Sequence, residues 1–271
     1  MPNNNSQWLR FQVSVFPAAA SLQTGSSTGF SFHVSFSWHL TPESSISTTP
    51  TSEYMNKNTQ HQTSSKRIEK IILISFPIVV LFCVVGYFFF DLPIAKYCNS
   101  IFSSNKIRRI LKDISKLGIA TFYLICSAII FMFFRFIRKR EIWSNRSLFV
   151  FLSISLSGVL VLITKFIFGR YRPKMFFEEQ LYGFEFFQLK GKITSFPSGH
   201  ASTIVALMLS LYFISPKYRV IYFIIAFVVV ISRVFVCHHY LTDVVVGSYV
   251  AVITTLCLKQ FLDKSGIAIQ E

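Results

Sequence analysis

Residues 71–90 read IILISFPIVVLFCVVGYFFF, a run with no charged side chain. A helix needs about 20 apolar residues to cross bilayer hydrocarbon. The stretch therefore predicts a membrane span. Pro77 within it is compatible with that reading, because neighbouring groups in a membrane helix re-satisfy the freed backbone. Working outward, apolar runs recur at about 117–137, 147–168, 199–215, 219–237 and 243–262, which makes six. The predicted fold class is an all-α membrane protein, a six-transmembrane-helix bundle. Composition agrees: of 271 residues, 52% are hydrophobic and 31 are Phe, a bias rare in soluble domains.

The formal charge of +15 raises nucleic acid as a partner, and the charge pattern excludes it. The cations punctuate apolar runs and form no continuous basic face, and no nucleic-acid-binding motif appears. Cations flanking apolar runs suit lipid headgroups. The five cysteines (Cys83, Cys98, Cys126, Cys237, Cys257) contain no C-x-x-C pair and no Cys/His cluster with zinc spacing. They read as buried free thiols.

Residues 1–65 are rich in Ser, Thr, Asn and Gln, with repeated Pro and Gly. This polar composition predicts a disordered tail ahead of a membrane domain at 66–265. Met55 precedes a second conventional start, MNKNTQHQTSSKRIEK, and translation is expected to begin there. Orientation follows from the cationic loops. Lys66, Arg67 and Lys70 precede the first span; Arg138, Lys139, Arg140 and Arg146 lie between the second and third; Lys217 and Arg219 lie between the fourth and fifth. These segments are expected on the cytoplasmic side, with both termini inside. The opposing segment 91–116 is also basic. There Ile107, Ile110, Leu111, Ile114 and Leu117 recur at helical spacing, which predicts an amphipathic helix lying at the interface.

Three polar clusters end apolar runs in the second half of the chain. The first is Lys165 with Arg172 and Pro173, the second is Pro197-Ser198-Gly199-His200, and the third is Ser232-Arg233 with His239 and Asp243. Titratable groups at the edge of hydrocarbon are costly and mark function. With six spans, all three clusters fall on one membrane face. Arg172 can fork onto two phosphate oxygens and Lys165 adds a point charge; Arg170 is a further candidate cation or a headgroup anchor. Pro197 and Ser198 suit a helix start whose free N–H groups attract an anion, and Gly199 permits close backbone approach. His200 stands at the mouth, placed to protonate a leaving oxygen. His239 and Asp243, four apart, share a helical face, so the carboxylate can hold one imidazole nitrogen as N–H and free the other for attack. His238 points elsewhere. Together these groups suit gripping a phosphate and moving it onto a histidine.

The three clusters read K-x6-R-P, P-S-G-H and S-R-x5-H-x3-D, in order and with every specified position present. In this the chain resembles the type 2 phosphatidic acid phosphatase superfamily, over roughly residues 71–262. The resemblance implies a membrane lipid phosphate phosphatase of the bacterial kind, needing no metal or cofactor. It implies that His239 attacks phosphorus, that Asp243 orients it and that His200 protonates the departing oxygen. A phosphohistidine intermediate is then hydrolysed. Lys165, Arg172, Ser198, the Gly199 amide and Arg233 are implied as phosphoryl-binding groups. The expected substrate is a lipid phosphate held in the bilayer. Lipid A phosphate or undecaprenyl diphosphate comes first, and phosphatidylglycerol phosphate or phosphatidic acid second. The expected location is the bacterial inner membrane with the site facing the periplasm. Vanadium haloperoxidases resemble the same clusters but are soluble; an inactive membrane transporter or scaffold is the remaining alternative. The aromatic and acidic loop 174–196 reads as an interfacial belt, or as a lid selecting headgroups.

Overall fold

The structure, a computed structural model, describes residues 52–270 except 103–104 and 189–190. Helix α1 spans Ser52–Phe89, α2 Asp91–Ile101, α3 Asn105–Ser115, α4 Ala120–Met132, α5 Glu141–Phe168, α6 Pro173–Glu179, α7 Gly199–Ile214, α8 Arg219–Phe235 and α9 Leu241–Lys264. The described residues are helical apart from turns, loops and one isolated antiparallel bridge between Arg170 and Phe184. Among the described residues, five stretches are long and apolar enough to cross a membrane: Lys66–Phe89, Lys106–Ile137, Glu141–Phe168, Pro216–Phe235 and Leu241–Lys264. The shorter α7 is the sixth. The architecture is the expected all-helical membrane bundle. α1 begins at Ser52, inside the stretch read from sequence as polar tail. Residues 1–51, including the segment before the expected start at Met55, lie outside the described residues.

The helices differ in what they face. Along α1, Leu73, Ile74, Phe76, Leu81 and Phe88 are exposed, as befits side chains solvated by lipid tails. α7 is central, packing against α5, α8 and α9. Its Ile204 and Leu207 join Val150 and Ile154 of α5, Val229 of α8 and Ala251 of α9 in one buried cluster. Small residues let these helices approach closely, as lipid-embedded packing demands. The Gly247 Cα lies so near α7's start that an added Cβ would sit 2.4 Å from the Ser198 carbonyl oxygen. On the other side of α7, a Cβ at Gly118 would lie 2.7 Å from the Cβ of His200. The expected amphipathic helix is α3. Its Ile114 packs on the core cluster, while Ile107 and Ile110 stay exposed.

The chain crosses so that the ends of α1, α5 and α8 and the starts of α7 and α9 share one face. The opposite face holds the start of α5, where Arg146 Nε donates to the Ile269 carbonyl (3.0 Å) and Asn145 to that of Ala268 (3.1 Å).

Substituting Gly247→Ala should wedge α7 from α9. Overpacking of this kind costs about 1–3 kcal/mol, and the unfolding midpoint in detergent micelles is expected to fall. Gly158→Ala, where nothing lies within 4 Å of an added Cβ, should not lower it.

Candidate active site

Each motif residue is delivered by a helix end whose local sequence explains the turn. α5 stops at Gly169, in the left-handed region (φ 37°), with its N–H donating to the Lys165 carbonyl (3.0 Å). Glycine is needed there: a Cβ would fall 1.9 Å from the Glu185 carbonyl oxygen. The Glu185 N–H donates to the Gly169 carbonyl (2.6 Å), which turns the chain back and throws Arg170 inward. α8 ends in a paired-carbonyl stop. The His238 N–H bonds to the Arg233 carbonyl (3.1 Å), the Cys237 N–H bonds to that of Val234 (2.9 Å), and Cys237 takes the left-handed position (φ 56°). α9 starts at Leu241, with the Tyr240 N–H donating to the Asp243 carboxylate at 2.8 Å. That is half of a capping box.

His239 is therefore not on a helix with Asp243, as the sequence spacing suggested. It sits in the turn between α8 and α9. Its Nδ1 lies 2.7 Å from the Ser195 carbonyl oxygen and 3.7 Å from Asp243 Oδ2. The first is a hydrogen bond and the second is too long to be one. A carbonyl oxygen only accepts, so Nδ1 carries the proton and Nε2 keeps its lone pair. The orienting group is the Ser195 main chain. Asp243 acts one step behind it, accepting from Ser195 Oγ (2.6 Å), from the Tyr240 amide and from Arg170 (2.7 Å).

The ribbon 191–198 joins the three clusters. The Thr194 carbonyl accepts from Lys165 Nζ (2.5 Å), and Thr194 Oγ1 accepts from Arg172 (3.3 Å). Arg172 Nε donates to the Gly191 carbonyl (3.1 Å). Part of its fork is thus spent on the ribbon, leaving its other N–H groups for a ligand. The Ser198 N–H donates to the Asp243 carbonyl (2.9 Å), and its hydroxyl caps α7 by accepting from the Ala201 N–H (3.4 Å). An added Cβ at Gly199 would meet only Val161, at 3.9 Å, so the space before this amide is open.

Arg233 is buried, 4% exposed, and its charge is uncompensated: among the described residues no carboxylate lies within 4.0 Å. One terminal nitrogen donates to Ser115 Oγ (2.9 Å), while Nε has no partner among the described residues. An unsatisfied buried cation suits an anionic ligand. The charges of Lys165 and Arg233 act on His239, and those of Arg233, Arg172 and Lys165 act on His200. Burial, against the pull of Asp243, takes His239 down to about 3. It is neutral, and so nucleophilic, at ordinary pH.

Arg170, read from sequence as a further candidate cation or a headgroup anchor, has another role, and other residues at the site went unassigned. It is 1% exposed and bridges Asp91 (2.8 Å) and Asp243 (2.7 Å), with the Tyr240 ring 4.2 Å from its guanidinium carbon. Burial works against its charge, and the two carboxylates outweigh it, holding the guanidinium above its ordinary value. Asp91 also accepts from the amide (3.0 Å) and hydroxyl (2.5 Å) of Thr242, capping α9 from α2. Asp91 closes the charge-free run 71–90, the kind of position that drew attention to the other clusters. Ser115, Thr194 and Ser195 have no such pattern. In the 174–196 loop, Phe184, Phe186 and Phe187 are exposed, whereas Tyr182 turns inward to donate to the Tyr87 carbonyl (2.7 Å).

Among known proteins, residues 146–267, just under half of the chain and including all three clusters, match the family model described as the PAP2 superfamily. Lipid A 1-phosphatases of Rhizobium johnstonii and Rhizobium etli are 33% identical over 99 residues, 36% of this chain and 41% and 43% of theirs. The chain thus spans about two-fifths of the length of these curated relatives. The crystal structure of a transmembrane PAP2-type phosphatidylglycerolphosphate phosphatase from Bacillus subtilis superposes with a TM-score of 0.52. It is 22% identical, covering 70% of this chain and 94% of that one, and it shares the PAP2 fold.

Replacing Asp243 by Asn breaks one of the two buried ion pairs of Arg170 and leaves it Asp91 alone; breaking a buried pair costs up to about 3–5 kcal/mol. Ser195→Ala removes only the hydroxyl and leaves the carbonyl on His239, a loss of about 1 kcal/mol. Detergent-micelle unfolding should rank wild type above Ser195→Ala above Asp243→Asn. The pH dependence follows from His239. Its folded value lies below the ordinary value of 6.5, so the unfolded chain takes up the proton first. Stability then falls as pH drops from about 6.5 towards 3. The midpoint at pH 5 should lie below that at pH 7, and His239→Asn should narrow the gap.

Proposed function

We propose that this chain is an integral-membrane lipid phosphate phosphatase that works through a phosphohistidine. The observation behind the reading is a pairing. A histidine with its Nε2 lone pair free lies in the field of Arg233, a buried arginine with no counter-ion among the described residues. That arrangement fits a phosphoryl group between the two side chains. Nε2 of His239 attacks phosphorus, forming the P–N bond as the P–O bond to the lipid breaks. His200, which takes up a proton once the phosphate dianion offsets the cations around it, gives that proton to the departing oxygen. Water then attacks the phosphohistidine, the P–N bond breaks, His200 takes the water's proton and inorganic phosphate leaves.

Lys165, Arg172, Arg233, Ser198 and the Gly199 amide hold the phosphoryl oxygens and stabilise the charge that builds on them. Ser195 and Asp243 fix the His239 tautomer. In this reading the chain's own cations do the electrostatic work, and neither metal nor cofactor is needed. Residues 66–265 form the catalytic membrane domain, in a bacterial inner membrane with the site on the periplasmic side.

The substrate is a lipid whose tail remains in the bilayer. Lipid A phosphate is favoured by the names of the 33%-identical relatives. Undecaprenyl diphosphate comes next, with phosphatidylglycerol phosphate and phosphatidic acid as alternatives. The membrane spans count against a soluble haloperoxidase, and a complete set of nucleophile, acid and clamp counts against an inactive scaffold or transporter.

Purified protein in detergent should release phosphate from one or more of these lipids. His239→Ala should abolish release, at least about a thousandfold, as loss of a nucleophile does. Vanadate should inhibit and EDTA should leave the rate unchanged. Equal release by wild type and His239→Ala would defeat the assigned nucleophile, and loss of activity with EDTA would defeat the metal-free mechanism.

A further inference from the structure

Beside the site lies a second cavity, of about 390 Å³. It is lined by Asn99 of α2, Arg108 and Lys112 of α3, Lys174 and Glu178 of α6, and His238, and none of the phosphoryl-clamp residues borders it. Its charge is lopsided. Lys174 and Glu178 offset each other at 3.5 Å. Arg108 and Lys112 have no such partner: among the described residues no carboxylate lies within 4.0 Å of either. They stand four apart on α3, so they share a face and repel each other. An anion between them removes that repulsion.

His238 connects this cavity to the site. It directly precedes His239, its imidazole is half-buried, and no group among the described residues hydrogen-bonds to the ring. It feels Arg233 and Arg172 on one side and Lys112 and Arg108 on the other. A neutral imidazole with one free N–H and an Asn amide add donors to the two cations. That is the equipment of an oxyanion site, and the volume exceeds what one phosphate fills.

We propose that this cavity is a second anion subsite, holding a phosphoryl group that is not itself hydrolysed. The inference rests on the phosphatase reading above. Two sources offer that chemistry: a second phosphate on the substrate lipid, or the headgroup of a neighbouring anionic lipid.

The test uses full-length protein in neutral detergent and the double variant Arg108→Gln/Lys112→Gln, which leaves the clamp intact. Substrates are dioctanoyl phosphatidic acid, with one phosphoryl group, and a bis-phosphorylated lipid A and a prenyl diphosphate, with two. If the second phosphate is the substrate's own, the variant's KM for a two-phosphate lipid rises about tenfold or more. Its turnover of dioctanoyl phosphatidic acid stays within about twofold of wild type, which also shows that the variant folds. If the source is a neighbour, added phosphatidylglycerol stimulates wild-type turnover of the single-phosphate substrate, and the variant loses that stimulation. Equal effects on all substrates, or none, with and without phosphatidylglycerol, overturn the subsite. A wild type that hydrolyses none of the three overturns the phosphatase reading, and the subsite with it.

Discussion

One buried guanidinium holds the candidate site together. Arg170 is shared by Asp91 at the start of α2 and Asp243 in the first turn of α9, and it is walled by aromatic rings from Tyr87, Tyr182, Phe184 and Tyr240. Burying a lone charge is prohibitive, and a paired one is tolerated only when geometry and hydrogen bonds are good. Here both carboxylates have further donors: Asp91 has the Thr242 amide and hydroxyl, and Asp243 has Ser195 and the Tyr240 amide. The network therefore fixes three chain segments relative to one another. His239 inherits its position from that fixation, one residue from Tyr240 and one hydrogen bond from Ser195.

A second theme is how much of the site is main chain. The carbonyls of Gly191, Thr194 and Ser195 receive Arg172, Lys165 and His239 in turn. The Ser198 amide and the Asp243 carbonyl tie α7 to α9. The three sequence motifs spell out side chains of the candidate site, but the scaffold aiming them is a ribbon whose residue identities matter less than its path. Gly118 and Gly247 secure that path from outside, by letting neighbouring backbone come within contact of His200 and Ser198.

This explains what the sequence could and could not disclose. The spans were legible because hydrocarbon imposes a length and a composition on any crossing helix, as at residues 71–90. The clusters were legible because polar groups at such helix ends are rare. The short α7 was placed correctly because Ser198 is a helix start by its chemistry. The Ser195–His239 contact was not legible, since a carbonyl is present at every residue and only the fold says which one is aimed. The i,i+4 spacing of His239 and Asp243 suggested a helical face, but a left-handed residue at Cys237 ends α8 first and places His239 in a turn. Arg170 was ambiguous because one more arginine at a membrane edge resembles a headgroup anchor. Only its two carboxylate partners, 79 and 73 residues away along the chain, reveal its role.

The Arg170 network also sets a valence for the pocket. One guanidinium against two carboxylates leaves that network with a single negative charge. Lys165, Arg172 and Arg233 supply three positive charges, and with the histidines counted as neutral the site's own side chains sum to two positive charges. A phosphate monoester dianion brings the site to electroneutrality; a diester, with one charge, leaves an excess. On the phosphatase reading proposed above, selection of terminal phosphates over the phosphodiesters that make up the surrounding bilayer is a matter of counter-charge before any headgroup is recognised.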